Sequence, residues 1–213
     1  LLHIPDGFLD VKTWAGAAAC SAVALGVAVK KTTAELGERQ VPRLAVMAAF
    51  IFAAQMVNFP IAGGTSGHLL GGALSSVLLG PWQAMLVLST VLIIQCFGFL
   101  DGGVTALGAN ILNMAVIGVW VAYLVYRLLV KIMPSDTGRV LAIFLAGLLS
   151  VEAAALAASL ELALSGTISL PVVLSAMLGW HFLIGIGEGL ITVLVVNFLV
   201  KMHVFEQSEG IAG

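Results

Sequence analysis

The sequence predicts an all-α, polytopic membrane helix bundle of about seven transmembrane helices, with the N-terminus outside and the C-terminus inside. Three observations carry that expectation. Of the 213 residues, 61% are hydrophobic and 9% are charged, at a mean hydropathy of +1.13, whereas soluble domains carry about 25% charged residues. Apolar runs long enough to cross a hydrocarbon core recur along the chain. The basic residues gather on alternate loops, as the positive-inside rule requires.

Each element follows in order. Residues 1–12 form a polar leader, 13–200 the helix bundle and 201–213 a frayed cytoplasmic tail, all in one membrane domain. Apolar segments run over 13–29, 43–59, 68–79, 83–99, 105–130, 139–164 and 172–200. The third is short and glycine-rich (Gly71, Gly72, Gly80), which reads as a short tilted span or a re-entrant element. With seven crossings, Lys30, Lys31, Arg39, Arg43, Arg127, Lys131, Arg139 and Lys201 share one side and only Lys12 lies on the other. With six, the later basic clusters fall on the wrong side. Seven crossings place His3, Asp6, Asp10, His68, Asp101 and Glu161 together on the external face.

Composition excludes several functions. No basic cluster tracks phosphates, so nucleic acid is not expected as a partner. Cys20 and Cys96 lie in apolar runs and read as small hydrophobes, without disulfide or thiolate-metal chemistry. There is no His-Glu-x-x-His helix, no nucleophile elbow and no phosphate-cradling loop, so neither catalysis nor ATP hydrolysis by this chain is expected.

The chemistry concentrates in few residues. His3 sits close to an α-amine, and an amine, backbone amides and an imidazole can share one plane around Ni(II) or Cu(II). The competing reading is an exposed histidine on a frayed terminus. His68 ends the run Gly63-Gly64-Thr65-Ser66-Gly67, which reads either as a site wall or as a helix-boundary histidine bonded to a carbonyl. His181 and Glu188 are seven apart on one helical face and read as an interhelical polar pair or packing contact. Glu152 is expected to pair with a histidine or hydroxyl, Gln55, Asn58 and Gln95 to bond across helices, and His203 to be solvated. Ala18, Ala22 and Gly26, at spacing four, form a small-residue stripe that suits either packing within the chain or docking to a partner subunit.

Three motifs carry a resemblance: His3-Ile4-Pro5-Asp6-Gly7-Phe8-Leu9, Gly63 to Gly71, and Gly179-Trp180-His181 through Gly187-Glu188. Together they resemble the nickel/cobalt substrate-binding (S) components of energy-coupling factor transporters, the NikM/CbiM family, and Ile-Pro-Asp-Gly resembles its nickel branch. The resemblance implies a leader inserted into the bundle. It also implies a metal held in a plane by the terminal amine, by the backbone amide and imidazole of His3, and by the imidazole of His68. Asp6, Asn58, Thr65 and Ser66 would support that set from outside it. The chain departs from the family pattern in one way: its histidine is third. Leu1, Leu2 and His3 alone could then supply four nitrogens and leave His68 axial or outside the plane.

The function so implied is capture of Ni²⁺ at the external face by one subunit of an ATP-driven uptake transporter in a prokaryotic inner membrane, with Co²⁺ as the alternative substrate. No organic cofactor is expected. A transmembrane scaffold (T) subunit, ATP-binding subunits and a small accessory membrane subunit are the implied partners. A metal-dependent membrane enzyme and a stand-alone facilitator are the competing classes. The first needs an open metal position beside a general base; the second needs a continuous polar path.

Overall fold

A computed structural model describes residues 2–35, 37, 40–57, 59–61 and 65–202. Among them the order is α1 (Val11–Glu35), α2 (Gln40–Gln55), a hairpin of β1 (Phe59–Ile61) and β2 (Thr65–Gly67), α3 (Gly72–Leu79) and α4 (Pro81–Phe99). A continuous rod follows, made of α5 (Leu107–Asn110), a π-helical stretch (Ile111–Gly118) and α6 (Val119–Ile132). It leads to α7 (Asp136–Leu164) and α8 (Leu170–Lys201). Counting the rod once, the described residues form seven helical segments, and they match the seven apolar runs.

Local chemistry sets the helix ends. Asp10 caps α1 by accepting from the Thr13 amide at 2.9 Å, and Ser135 caps α7 by accepting from the Gly138 amide at 3.1 Å. Each satisfies a first-turn N–H that has no intrahelical partner. Pro81 opens α4, where a missing N–H costs nothing.

Five helices are long and apolar enough to cross a membrane: α1, α4, the α5–α6 rod, α7 and α8. At about 1.5 Å per residue, α2 is a short span and α3 covers less than half of a ~30 Å hydrocarbon core. Within 68–79 the helix occupies only Gly72–Leu79. The run 43–59 is corrected at its end: the helix stops at Gln55, and Phe59–Ile61 pairs antiparallel with Thr65–Gly67, Phe59 opposite Gly67. Pro60 cannot continue a helix, and its missing N–H is tolerated in so short an edge pair.

The segments alternate in direction. Contacts gather the leader, His68, residues 101–110 and residues 165–167 at one end. At the other end Gln83 bonds Gln40. The core is built around α3, which is buried along almost its whole length by α4, α6, α7 and α8; Leu74, Leu78, Met85, Leu88, Met114 and Ile143 fill it. Large apolar side chains such as Val23, Leu128, Leu183 and Leu194 point outward, which suits a lipid solvent and not water. Helices α7 and α8 cross where a Cβ on Gly147 would stand 2.7 Å from the Gly189 Cα, a close approach only small residues permit.

Candidate metal centre

The leader does not fray. Leu2, His3 and Ile4 are 4%, 5% and 1% exposed. Asn110 grips the Ile4 backbone from both sides: its Oδ1 accepts from the Ile4 amide at 2.8 Å, and its Nδ2 donates to the Ile4 carbonyl at 3.2 Å. The Gly103 amide donates to the same carbonyl at 2.9 Å. The leader thus lies against the loop between α4 and α5 as an extra strand of backbone would. Gly103 makes this possible, since a Cβ there would sit 2.2 Å from the Asp6 nitrogen.

Asp6 fastens the leader's far side. Its carboxylate accepts from the Val104 amide at 3.1 Å, the Thr105 amide at 2.7 Å and the Thr105 hydroxyl. Those bonds, led by the Thr105 hydroxyl, hold the carboxyl below the usual aspartate range. The Thr167 hydroxyl donates to the Phe8 carbonyl, tying the leader also to the turn after α7.

Two imidazoles meet at the buried end of the leader. The rings of His3 and His68 stand 4.8 Å apart, centre to centre, at 87°. His3 Nδ1 is 3.3 Å from Asp101 Oδ1, and this bond holds the Asp101 carboxyl below its ordinary range. His68 Nδ1 lies 2.9 Å from the Leu69 carbonyl. His3 Nε2 is buried without a hydrogen-bond partner. His68 is thus a carbonyl-bonded histidine whose ring also meets that of His3.

The loop after His68 is held from α8. Glu188, 1% exposed, accepts from the Leu70 amide at 2.8 Å through Oε2 and from the Gly71 amide at 2.9 Å through Oε1. Gln55 Nε2 donates to the Leu70 carbonyl at 2.7 Å. One carboxylate thus satisfies two backbone donors just ahead of α3, a role that the Glu188–His181 pairing did not anticipate. His181 instead bonds its own helix, with Nδ1 2.6 Å from the Met177 carbonyl, and packs as a core residue.

Other expectations need correction. Glu152 finds neither a histidine nor a hydroxyl among the described residues, and its Oε1 has no partner; the carboxylate that is paired on α7 is Glu161, bonded by Asn113 at 2.7 Å. Gln55 bonds the loop ahead of α3 rather than another helix, and both side-chain polar atoms of Gln95 lack a partner, its backbone carbonyl instead receiving the Asp101 amide. Leu1, Asn58 and His203 lie outside the described residues, as do the side chains of Thr65 and Ser66. Ala18 packs against Gly108 within the chain, whereas Ala22 and Gly26 face outward. Cys20 and Cys96 are free thiols. Among the described residues no three His, Cys, Asp or Glu side chains converge as a metal cluster.

Residues 3–204 match the family described as the CbiM cobalt-uptake substrate-specific transmembrane region. The chain belongs to that family. A cobalt transport protein CbiM of Kyrpidia tusciae is 34% identical over 94% of this chain and 83% of its own length. A fused nickel transport protein NikMN of Rhodobacter capsulatus is 42% identical over 75% of this chain, and the match spans 46% of that longer protein. A crystal structure of a truncated transition metal transporter superposes with a TM-score of 0.87 at 38% identity, covering 94% of this chain and 99% of that one. The family is one of transport proteins, not enzymes, and the chain is a multi-pass membrane component of transition-metal uptake.

Asp101, Gly103, Thr105 and Asn110 are the site residues that the sequence reading left without a role. Their signal is a cluster of polar and glycine residues, Asp101-Gly102-Gly103 through Asn110, between two apolar runs.

Proposed function

We propose that this chain captures Ni²⁺ at the external face, between His3 and His68, as the substrate-specific subunit of an energy-coupling factor transporter. The observation that carries this reading is the edge-on contact of the two imidazoles, 4.8 Å apart, at the end of a leader bonded along its length to the bundle. Neutral imidazole suits Ni(II) and Co(II) alike. Co²⁺ is the second reading, favoured by the cobalt-uptake description of the family.

The end that carries the leader is external in this reading, because the basic residues lie toward the opposite end. Energy comes from separate ATP-binding subunits through a transmembrane scaffold, since the chain has no nucleotide motif. The outward-facing Ala22 and Gly26 belong to the docking face for that scaffold.

Titration of the purified chain with Ni²⁺ and Co²⁺, beside His3→Ala and His68→Ala, tests this. Tight binding is expected for the parent and is lost in both variants. If His68→Ala keeps the parent affinity, a terminal four-nitrogen chelate replaces the shared site.

A further inference from the structure

We propose that the outward face of α7 around Glu152 docks a transmembrane helix of a partner subunit, and that this helix presents a hydrogen-bond donor to the Glu152 carboxyl at the middle of the membrane. This rests on the reading above that the chain is one membrane subunit of a larger transporter.

With 29 residues, α7 is longer than a hydrocarbon core of about 30 Å requires, and Glu152 stands near its middle. An ionisable side chain is costly in that medium and as a rule turns toward a cavity or a partner. The other carboxyls carried within α7 and α8 obey this. Glu161 receives the Asn113 side-chain amide at 2.7 Å, and Glu188 receives two backbone amides at 2.8 and 2.9 Å. Glu152 is half-buried, and its Oε1 is buried with no hydrogen-bond partner among the described residues.

The surroundings place the missing partner outside the chain. Leu149, Leu156 and Leu160 are 40%, 42% and 43% exposed. Together with Glu152 they follow one another along one side of α7 at helical spacing. Ala153 and Ala157 beside them are half-buried, and small side chains there let another helix come close.

Hydrocarbon tails can cover the leucines, but they offer the carboxyl nothing. Protonation does not remove the problem, because a neutral carboxyl still carries a donor and an acceptor that lipid cannot satisfy. A helix with a hydroxyl, amide or basic side chain at the same depth supplies the donor. A second copy of this chain across a two-fold axis would instead set carboxyl against carboxyl. The occupant is therefore a different polypeptide. Its face is separate from the α1 stripe, since α1 packs on α4 and α5 while α7 packs on α6 and α8.

Glu152→Leu carries the test. In the isolated chain in detergent it is expected to bind Ni²⁺ as the parent does and to melt at the same or a higher temperature, because it removes an unpartnered polar group. Titrated with the transporter's other membrane subunits, it is expected to associate about 3- to 30-fold more weakly. Glu152→Gln, whose side-chain oxygen still accepts, stays near the parent. In cells that make all the subunits, a photo-crosslinking residue in place of Leu156 is expected to capture one of those membrane subunits. Parent-like association of Glu152→Leu overturns the proposal, as does a lowered melting temperature, which would place the carboxyl's partner within the chain. Crosslinks to lipid alone, or to a second copy, overturn it too. The crosslink decides the matter if Glu152→Leu does not fold. If the parent binds neither Ni²⁺ nor Co²⁺, the capture function fails, while association and crosslinking still decide the role of this face.

Discussion

At the scale of single residues, the leader is held by backbone bonds, and Asn110 carries the most exacting of them. Asn110→Ala removes the acceptor of the buried Ile4 amide. A stranded donor costs about 1–3 kcal/mol, so the docked leader becomes about 10- to 100-fold less populated. Ni²⁺ affinity measured by titration should fall by that factor, with the helix content unchanged by circular dichroism. Acid should act at the same site in two ways. Imidazole and amide ligands bind metal only after losing protons, so Ni²⁺ affinity measured by titration should fall as pH drops. Asp6, with its pKa lowered in the folded chain, stabilises leader docking above the usual aspartate range and loses that contribution only as pH falls through its depressed pKa. Protease protection of the leader should therefore persist as pH falls through the usual aspartate range. His3, His68 and Asp6 were legible in the sequence because each sits in a compact local motif. Asn110 and Glu188 were not, because the backbone groups they bond lie 106 and 117 to 118 positions away, and no local spacing encodes such a partner.

At the scale of elements, the apolar runs revealed the helices but not how closely two of them approach. Gly147 and Gly189 read as ordinary small residues in long apolar segments. In the fold they let α7 and α8 touch backbone to backbone, which also fixes the height of Glu188 beside the His68 loop. A Cβ on Gly189 would come within 2.6 Å of the Phe144 carbonyl. Gly189→Ala should force the helices apart and cost about 1–3 kcal/mol, seen as a lower melting temperature in detergent. Glu188→Ala tests the element's other task. It strands the Leu70 and Gly71 amides, at about 1–3 kcal/mol each, and should lower both thermal stability and Ni²⁺ affinity. Glu188→Gln, which keeps one side-chain acceptor, should fall between. The hairpin β1–β2 escaped prediction for a simpler reason: three residues per strand, interrupted by glycine and proline, show no period that separates them from a loop.

At the scale of the whole molecule, the expected side of each loop came from charge, because the rule that places Lys and Arg needs only their order along the chain. The short α3 is held by the buried core around it and not by its length. Docking was less legible, since a small-residue stripe looks the same whether it meets another helix of the chain or a separate subunit. The fold divides that stripe. Ala18 is used internally, with a Cβ on Gly108 reaching to 2.4 Å from its Cα, so enlarging it should disturb the site end of the bundle. Ala22 and Gly26 face out, so enlarging them leaves the fold intact and acts only on a partner. Overpacking a close helix contact costs about 1–3 kcal/mol, which is tenfold or more in the population of a complex. Ala22→Leu with Gly26→Leu should therefore lower metal uptake by cells carrying the partner subunits, while the purified variant binds Ni²⁺ as the parent does. Unchanged uptake in that double variant would move the docking face to another part of the surface.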